Sequence, residues 1–178
     1  MRIHSEITDE LAAWIGEQKI FFVGTAPLSA DGHINVSPKG GDSFRILGPK
    51  RVAYQDYTGS GAETIAHLRE NGRIVIHFCA FEGPPKIVRL HGKGEVALPG
   101  HPRYESLRER FPKNAGTRSF IEIELDRVSD SCGYSVPFFE YKRHRDGLDK
   151  WAAKKGEDGL RAYKEQKNRT SIDGLPAL

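Results

Sequence analysis

The chain has 178 residues, a length typical of one compact domain. Charged residues make up 29% of it, its mean hydropathy is -0.54, and no run approaches the ~18 consecutive apolar residues of a spanning helix, which excludes a membrane protein. The net charge of +3 does not indicate a nucleic-acid partner, Cys79 and Cys132 lack metal-ligand spacing, and residues Met1 to Glu10 lack the apolar core of a secretory signal. We therefore expect a cytoplasmic protein with reduced cysteines and no bound metal.

The first quarter of the sequence predicts a helix followed by a β-hairpin. Apolar residues at helical spacing follow Thr8, a typical N-cap residue, and predict a short amphipathic helix. Residues Lys19 to Ala26 and His33 to Lys39 predict two strands joined by a Ser-Ala-Asp-Gly turn. The second strand alternates apolar and polar side chains and contains Pro38, which indicates an edge strand with one polar face.

Two more strands and a helix are predicted in the next segment. The strands are Phe44 to Leu47 and Arg51 to Asp56, separated by a Gly-Pro turn. Ser60 and Glu63 have the spacing of a capping box, so the helix is expected to begin at Ser60 and to end at an Asn-Gly pair.

The remaining sequence predicts mainly strands and a charged tail. A long central hairpin, a short helix, a long strand with a solvated acidic face that includes Glu122 and Glu124, and a last strand are expected at Arg73 to Phe81 with Lys86 to Val96, Tyr104 to Phe111, Ser119 to Val128 and Cys132 to Phe138. About eight strands with short helices favour a closed or nearly closed antiparallel barrel in a mainly β (α+β) domain. Residues 1–141 form this domain, and residues 142–178 are expected to be its basic, partly helical C-terminal extension.

The sequence Gly59-Ser60-Gly61 lies between a predicted strand and a predicted helix. A helix N-terminus offers unpaired backbone amides to an anion, and the hydroxyls of Thr58, Ser60 and Thr64 are further donors. The alternative is that Ser60 only caps its helix and the glycines only form the turn. The segment is neither a P-loop nor a dinucleotide fingerprint, because it lacks Gly-Lys-Ser/Thr and a glycine at position 64.

Other polar groups give weaker indications. Lys39 follows the polar face of its strand and is a candidate cation for an anionic ligand, or an ordinary solvated lysine. His77 and Cys79 share a strand face but have no carboxylate partner, so we interpret them as structural. No residue is identified as catalytic.

Four blocks of the sequence together resemble a known family. They are His33-Ile34-Asn35-Val36-Ser37-Pro38-Lys39-Gly40-Gly41, the run from Ala53 to Thr64, Arg73 to Phe81, and Arg89-Leu90-His91-Gly92. Their order and spacing over about residues 5–130 resemble the pyridoxamine 5'-phosphate oxidase-like, FMN-binding split-barrel family. The resemblance implies a six-stranded split β-barrel that forms a homodimer, with FMN in two clefts at the subunit interface.

The resemblance also implies which residues bind the cofactor. It nominates Asn35, Val36, Ser37, Pro38 and Lys39 for the flavin, Gly59, Ser60, Gly61 and Thr64 for the phosphate, and Tyr54, Gln55 and Asp56 for the lining of the cleft. Members that oxidise pyridoxamine phosphate carry Arg-Lys where this chain has Gly61-Ala62, so vitamin B6 oxidation is not expected. The function implied is an FMN-dependent oxidoreductase acting on a small organic substrate, with NAD(P)H as a candidate electron donor. The alternatives are a flavin-binding sensor or storage protein without turnover, and a relative that binds F420 or haem.

Overall fold

The computed structural model describes residues 1–178 as one eight-stranded antiparallel sheet with four helices. The strands are β1 Arg2–His4, β2 Ile20–Thr25, β3 Asn35–Gly40, β4 Phe44–Gly48, β5 Arg51–Tyr57, β6 Arg73–Cys79, β7 Ile87–Ala97 and β8 Thr117–Ser131. The helices are α1 Asp9–Glu17, α2 Glu63–Asn71, α3 Tyr104–Arg108 and α4 Gly147–Lys167. The predicted mainly β fold and the helical C-terminal extension are confirmed.

The sheet is curled so that its two ends approach each other. Its strand order is β3-β2-β6-β7-β8-β5-β4, with β1 added beside β8, so β3 and β4 are consecutive in the chain but lie at opposite ends of the sheet. Gly41, with a φ of 75°, makes the turn between them, a conformation that favours glycine. The ring of Phe21 on β2 lies 5.2 Å from that of Phe44 on β4, which joins the two ends inside a split barrel.

The barrel interior is built from the side chains that alternate inward along each strand. Val23, Ile76, Leu90 and Ile123 are each 0% exposed and come from four different strands. The apolar face of α1, which Thr8 caps as predicted, covers one end of this core. Because burial of apolar surface is the main favourable contribution to folding, the alternating strands fix which polar side chains face away from the core.

Helix α2 begins later than the sequence predicts. Its N-cap is Ala62, which makes no side-chain capping bond, so the predicted capping box of Ser60 and Glu63 is wrong. Ser60 instead lies in the exposed loop before the helix. The predicted C-terminus is confirmed, since Gly72 ends the helix with a φ of 72°.

Two further expectations are corrected. The segment from Cys132 to Phe138 is irregular rather than a strand, and the eighth strand is the short N-terminal β1. Glu122 does not lie on a solvated face, because it is 8% exposed and accepts a hydrogen bond of 2.7 Å from Arg103. Glu124 is exposed, as expected.

The C-terminal extension consists of α4 and a folded terminal segment, residues 168–178. Helix α4 is interrupted at Gly156, whose φ of 65° divides it into two helical pieces. No helix in the structure combines the length and the apolar character that crossing a bilayer requires.

Candidate anion-binding cleft

A polar cleft of about 260 Å³ lies where strand β3 faces the start of helix α2. We call the strand side the β3 wall (residues 35–40) and the segment before the helix the 58–62 loop. The cleft is lined by Ser37, Pro38, Lys39, Tyr57, Gly59, Gly61, Glu63, Thr64 and Arg118. Its lining is almost entirely polar, which suits a charged ligand better than an apolar one.

Side-chain hydrogen bonds fix the β3 wall. Asn35 Nδ2 donates to Thr25 Oγ1 at 3.1 Å and to Thr64 Oγ1 at 3.0 Å, and Ser37 Oγ donates to Asn35 Oδ1 at 2.9 Å. Because Thr64 Oγ1 accepts from Asn35, the hydroxyl proton of Thr64 is free to donate elsewhere. Asn35 thereby holds the first turn of α2 against the strand and orients a donor.

The 58–62 loop is held through its carbonyl groups. Asn168 Nδ2 donates to the Gly59 carbonyl at 2.8 Å, and Arg118 Nη1 donates to the Gly61 carbonyl at 2.8 Å. In contrast, no backbone amide of residues 59–65 donates a hydrogen bond within the chain. Unpaired consecutive amides at a helix N-terminus form an anion-binding site.

A buried ionic cluster underlies the cleft. Asp56, 1% exposed, accepts from Lys39 Nζ at 3.1 Å, from Arg118 Nε at 2.8 Å and from Ser119 Oγ at 3.2 Å. Burial opposes ionisation of Asp56, but the nearby charges of Lys39 and Arg118 outweigh it and lower the pKa of the carboxyl group. One carboxylate is shared by two cations, so the cluster carries an excess positive charge beneath the cleft.

The structure brings most of the predicted cofactor-binding residues together. Ser37, Pro38, Lys39, Gly59, Gly61 and Thr64 line the cleft, and Asn35 and Asp56 lie behind this lining in the contacts described above. Val36 projects from the opposite face of β3 and is 66% exposed. Ser60 lies in the same loop but makes no side-chain hydrogen bond within the chain.

Tyr54 and Gln55 occupy less accessible positions. Tyr54 is fully buried in the barrel core, 5.9 Å from Lys39 Nζ, and its hydroxyl has no hydrogen-bond partner. Burial raises the pKa of this phenol. The Gln55 amide donates to Pro112 O at 3.0 Å and to Thr117 Oγ1 at 2.7 Å, which leaves it outside the cleft lining.

Two buried side chains near the 58–62 loop and α2 carry unpaired polar atoms. Thr58 Oγ1, in a residue 1% exposed, has no partner. His67 is 0% exposed, its Nδ1 lies 3.0 Å from Thr25 Oγ1, and its Nε2 has no partner. Burial lowers the pKa of His67, so the imidazole is neutral near pH 7.

Sequence reasoning missed Arg118, Tyr57 and Glu63 in the cleft lining, and Asn168 behind the loop. A detectable signal existed only for Arg118, a charged residue within an otherwise apolar run that becomes a central strand.

His77 and Cys79 lie on β6, outside the cleft lining. They make no hydrogen bond to each other, and burial raises the pKa of the Cys79 thiol, which keeps it protonated. The pair has none of the features of an activated nucleophile and base.

A curled antiparallel sheet with a polar cleft along its open side defines a split-barrel protein. The sequence matches the family model described as pyridoxamine 5'-phosphate oxidase over residues 7–132. It is also 40% identical over 194 residues to the pyridoxamine 5'-phosphate oxidase family protein ustO of Aspergillus flavus, in an alignment that covers 98% of this chain and 77% of that protein. The chain therefore belongs to the pyridoxamine 5'-phosphate oxidase family.

Solved structures share the fold at low sequence identity. HupZ of Group A Streptococcus is 23% identical with a TM-score of 0.54, and the match covers 75% of this chain and 99% of that chain. A Clostridium acetobutylicum protein related to general stress protein 26 of B. subtilis, described as of the pyridoxinephosphate oxidase family, is 16% identical with a TM-score of 0.52, covering 69% of this chain and 86% of that one. The FAD binding protein of Mycobacterium smegmatis is 11% identical with a TM-score of 0.50, covering 74% and 97%. These structures support the split-barrel fold.

Proposed function

We propose that this protein binds FMN in the cleft between the β3 wall and the 58–62 loop and acts as an FMN-dependent oxidoreductase on a small organic substrate. The observation that carries the proposal is the run of unpaired amides at residues 59–65, backed by the excess positive charge of Lys39 and Arg118 around Asp56. These groups suit a phosphate at the helix N-terminus. Membership of the pyridoxamine 5'-phosphate oxidase family supports a flavin as the molecule that carries the phosphate.

The residues of the cleft divide between the two parts of FMN. The amides of the 58–62 loop, the hydroxyl proton of Thr64 and that of Ser60 would hold the phosphate. Lys39 Nζ has one hydrogen bond to Asp56, which leaves further N–H groups for the flavin alongside Asn35, Val36, Ser37 and Pro38. Arg118 Nη2 makes no hydrogen bond within the chain and is a further donor at the floor of the cleft.

Bound FMN would supply the redox chemistry, since a flavin accepts and donates a hydride or single electrons. The chain's own side chains would then bind the cofactor, orient it and exclude water. The neutral His67 lies behind Thr25 and helps to fix the β3 wall through that hydroxyl group. In this proposal no side chain has to serve as a catalytic acid or base, and NAD(P)H is the candidate electron donor.

The proposal includes a homodimer with the cofactor clefts at its interface. Ile34 and Val36, on the outer side of the segment that forms the β3 wall, are 77% and 66% exposed. Exposed apolar side chains on an edge strand favour burial against a partner, and a second copy of the chain would cover them beside the cleft.

The direct test is flavin binding by the purified protein, followed by fluorescence quenching with FMN and with riboflavin, which lacks the phosphate. We expect the double variant Ser60→Ala/Thr64→Ala to weaken FMN binding about 10- to 150-fold, because a hydrogen bond to a charged group contributes about 1.5–3 kcal/mol. Riboflavin binding should not change. Unchanged FMN affinity in the double variant would remove the phosphate from this loop.

A second measurement separates an enzyme from a binding protein. The FMN-loaded protein should be reduced by NADH or NADPH and reoxidised by a small acceptor. A protein that holds FMN but is reduced by neither nucleotide, and that oxidises no small donor, is instead a sensor or storage protein. An absorption spectrum typical of F420 or haem in the protein as isolated would contradict FMN.

A further inference from the structure

The C-terminal segment, residues 168–178, lies against the same loop and strand that form the cleft. It folds on itself as a tight hairpin, with Ser171 N donating to Leu175 O at 2.9 Å and Ala177 N donating to Arg169 O at 2.8 Å. The match to the family model ends at residue 132, so this hairpin lies outside it. We call residues 168–178 the C-terminal strap.

The strap contacts three elements that border the cleft. Asn168, 0% exposed, donates from Nδ2 to the Gly59 carbonyl in the 58–62 loop. Ala177, also 0% exposed, packs against Ala62 and Ile65 at the start of α2. At its turn, Asp173 accepts from the His33 backbone amide at 2.8 Å and contacts His33 Nδ1 at 2.6 Å, just before the β3 wall.

We propose that the C-terminal strap positions the two sides of the cleft relative to each other, and that Asn168 is the positioning residue for the 58–62 loop. Holding the Gly59 carbonyl directs it toward the protein, and Arg118 does the same for Gly61. The amides of the loop are left without partners in the protein, which makes them available to an anion. Asn168 acts through the loop and does not itself line the cleft.

The chemistry of Asn168 makes this role specific. A buried side-chain amide that donates to a backbone carbonyl fixes the orientation of that peptide group, and glycine at position 59 offers no side chain to restrain the loop otherwise. An added Cβ at Gly59 would meet no atom within 4 Å, so the loop is not wedged in place by neighbouring side chains there. The hydrogen bond from Asn168 is therefore a principal restraint on this part of the loop.

The consequence for ligand binding rests on the proposed function. Removing the amide of Asn168 should weaken ligands that need the 58–62 loop and spare those that do not. We expect Asn168→Ala to raise the Kd for FMN about three- to tenfold, since a neutral hydrogen bond contributes about 0.5–1.5 kcal/mol, and to leave the Kd for riboflavin unchanged. Asn168→Asp keeps the size but cannot donate, so it should show the same selective loss.

The control variant lies in the same strap. Ile172 is 69% exposed at the turn, and Ile172→Ala should bind FMN and riboflavin as the unmodified protein does. Equal weakening of FMN and riboflavin by Asn168→Ala would overturn the proposal, because it would indicate a general loss of structure. Unchanged binding of both would overturn it as well.

A measurement without flavin separates this inference from the proposed function. In the apo protein, ¹⁵N relaxation should give Gly59 and Gly61 order parameters near the rigid value of about 0.85, and Asn168→Ala should lower them below about 0.6. Rigid loop amides in the variant would overturn the strap's role whether or not the protein binds flavin. If the unmodified protein binds no flavin but the variant's loop becomes mobile, the proposed function fails and the positioning role of Asn168 stands. Should Asn168→Ala not fold, Asn168→Asp carries the same relaxation test.

Discussion

The β3 wall is held by side-chain hydrogen bonds among neighbouring elements, whereas the 58–62 loop is held through backbone carbonyls by residues remote in the chain. Asn35, Ser37, Thr25 and Thr64 form the first set, and their longest separation is the 29 residues between Asn35 and Thr64. Arg118 and Asn168 form the second, 57 and 109 residues from the glycines that they hold. A wall made by side chains satisfies its own polar groups, while a loop held by its carbonyls keeps its amides free for a ligand.

The strongest test of this difference is to remove the common support of the loop and the floor. Arg118→Ala leaves Asp56 buried with one cation and frees the Gly61 carbonyl. We expect a loss of about 3–5 kcal/mol in the free energy of unfolding, the usual effect of breaking a buried ion pair. Urea unfolding measures it. Arg108→Ala, which removes an exposed pair with Glu105, is the control and should change stability by less than about 1 kcal/mol.

The joint between the two sides should be sensitive to acid. The pKa of Asp56 in the folded protein lies below its ordinary value of 3.8, so its ionised form stabilises the fold above that value. This contribution is lost as the pH falls through the lowered pKa. We expect Asp56→Asn to be less stable than the unmodified protein at pH 7 and to lose less stability on acidification below pH 4. Parallel acid dependence in the two proteins would contradict the ion-pair assignment.

The β3 wall should respond to loss of Asn35 more modestly. Asn35→Ala removes two donated hydrogen bonds, and we expect the free energy of unfolding to fall by about 1–2 kcal/mol. Ser37→Ala removes one hydrogen bond and should cost about half as much. Equal effects of the two variants in urea unfolding would show that Asn35 does not organise the wall.

The smallest predicted effect has the opposite sign. Glu63 lines the cleft, and its Oε2 would lie 2.3 Å from a Cβ added at Gly61, so its carboxylate is beside the proposed phosphate site. We expect Glu63→Gln to tighten FMN binding about threefold, since an exposed charge pair contributes under about 1 kcal/mol, and to leave riboflavin binding unchanged. Glu105→Gln, remote from the cleft lining, serves as the control in the same titration. Weaker FMN binding by Glu63→Gln would show that this carboxylate assists the ligand.

Most of the fold follows from alternation and turn chemistry along the sequence. The β2–β3 hairpin, the β6–β7 hairpin and the C-terminus of α2 were all predicted, because each is specified by residues close in the chain. Residues Cys132 to Phe138 have strand-forming side chains but no neighbouring strand to pair with, while β1 is too short to be detected and exists through its pairing with β8. Strand formation depends on a partner that local sequence does not show.

The site divides in the same way. The resemblance nominated Lys39, Gly59, Gly61 and Thr64 as one group, and these residues do line one cleft. Arg118 and Asn168 belong to no local pattern, because their role depends on which carbonyl the fold brings within reach. Glu122 was misjudged for a related reason, since alternation placed it on a wet face and the folded chain covers it with Arg103.

The most direct test of the account is a crystal structure of the protein grown with FMN. The account predicts the phosphate within hydrogen-bonding distance of the amides of residues 59–65 and of Thr64 Oγ1, with the ring along the β3 wall near Lys39. A phosphate bound elsewhere, or a flavin that leaves these amides without a partner, would contradict it.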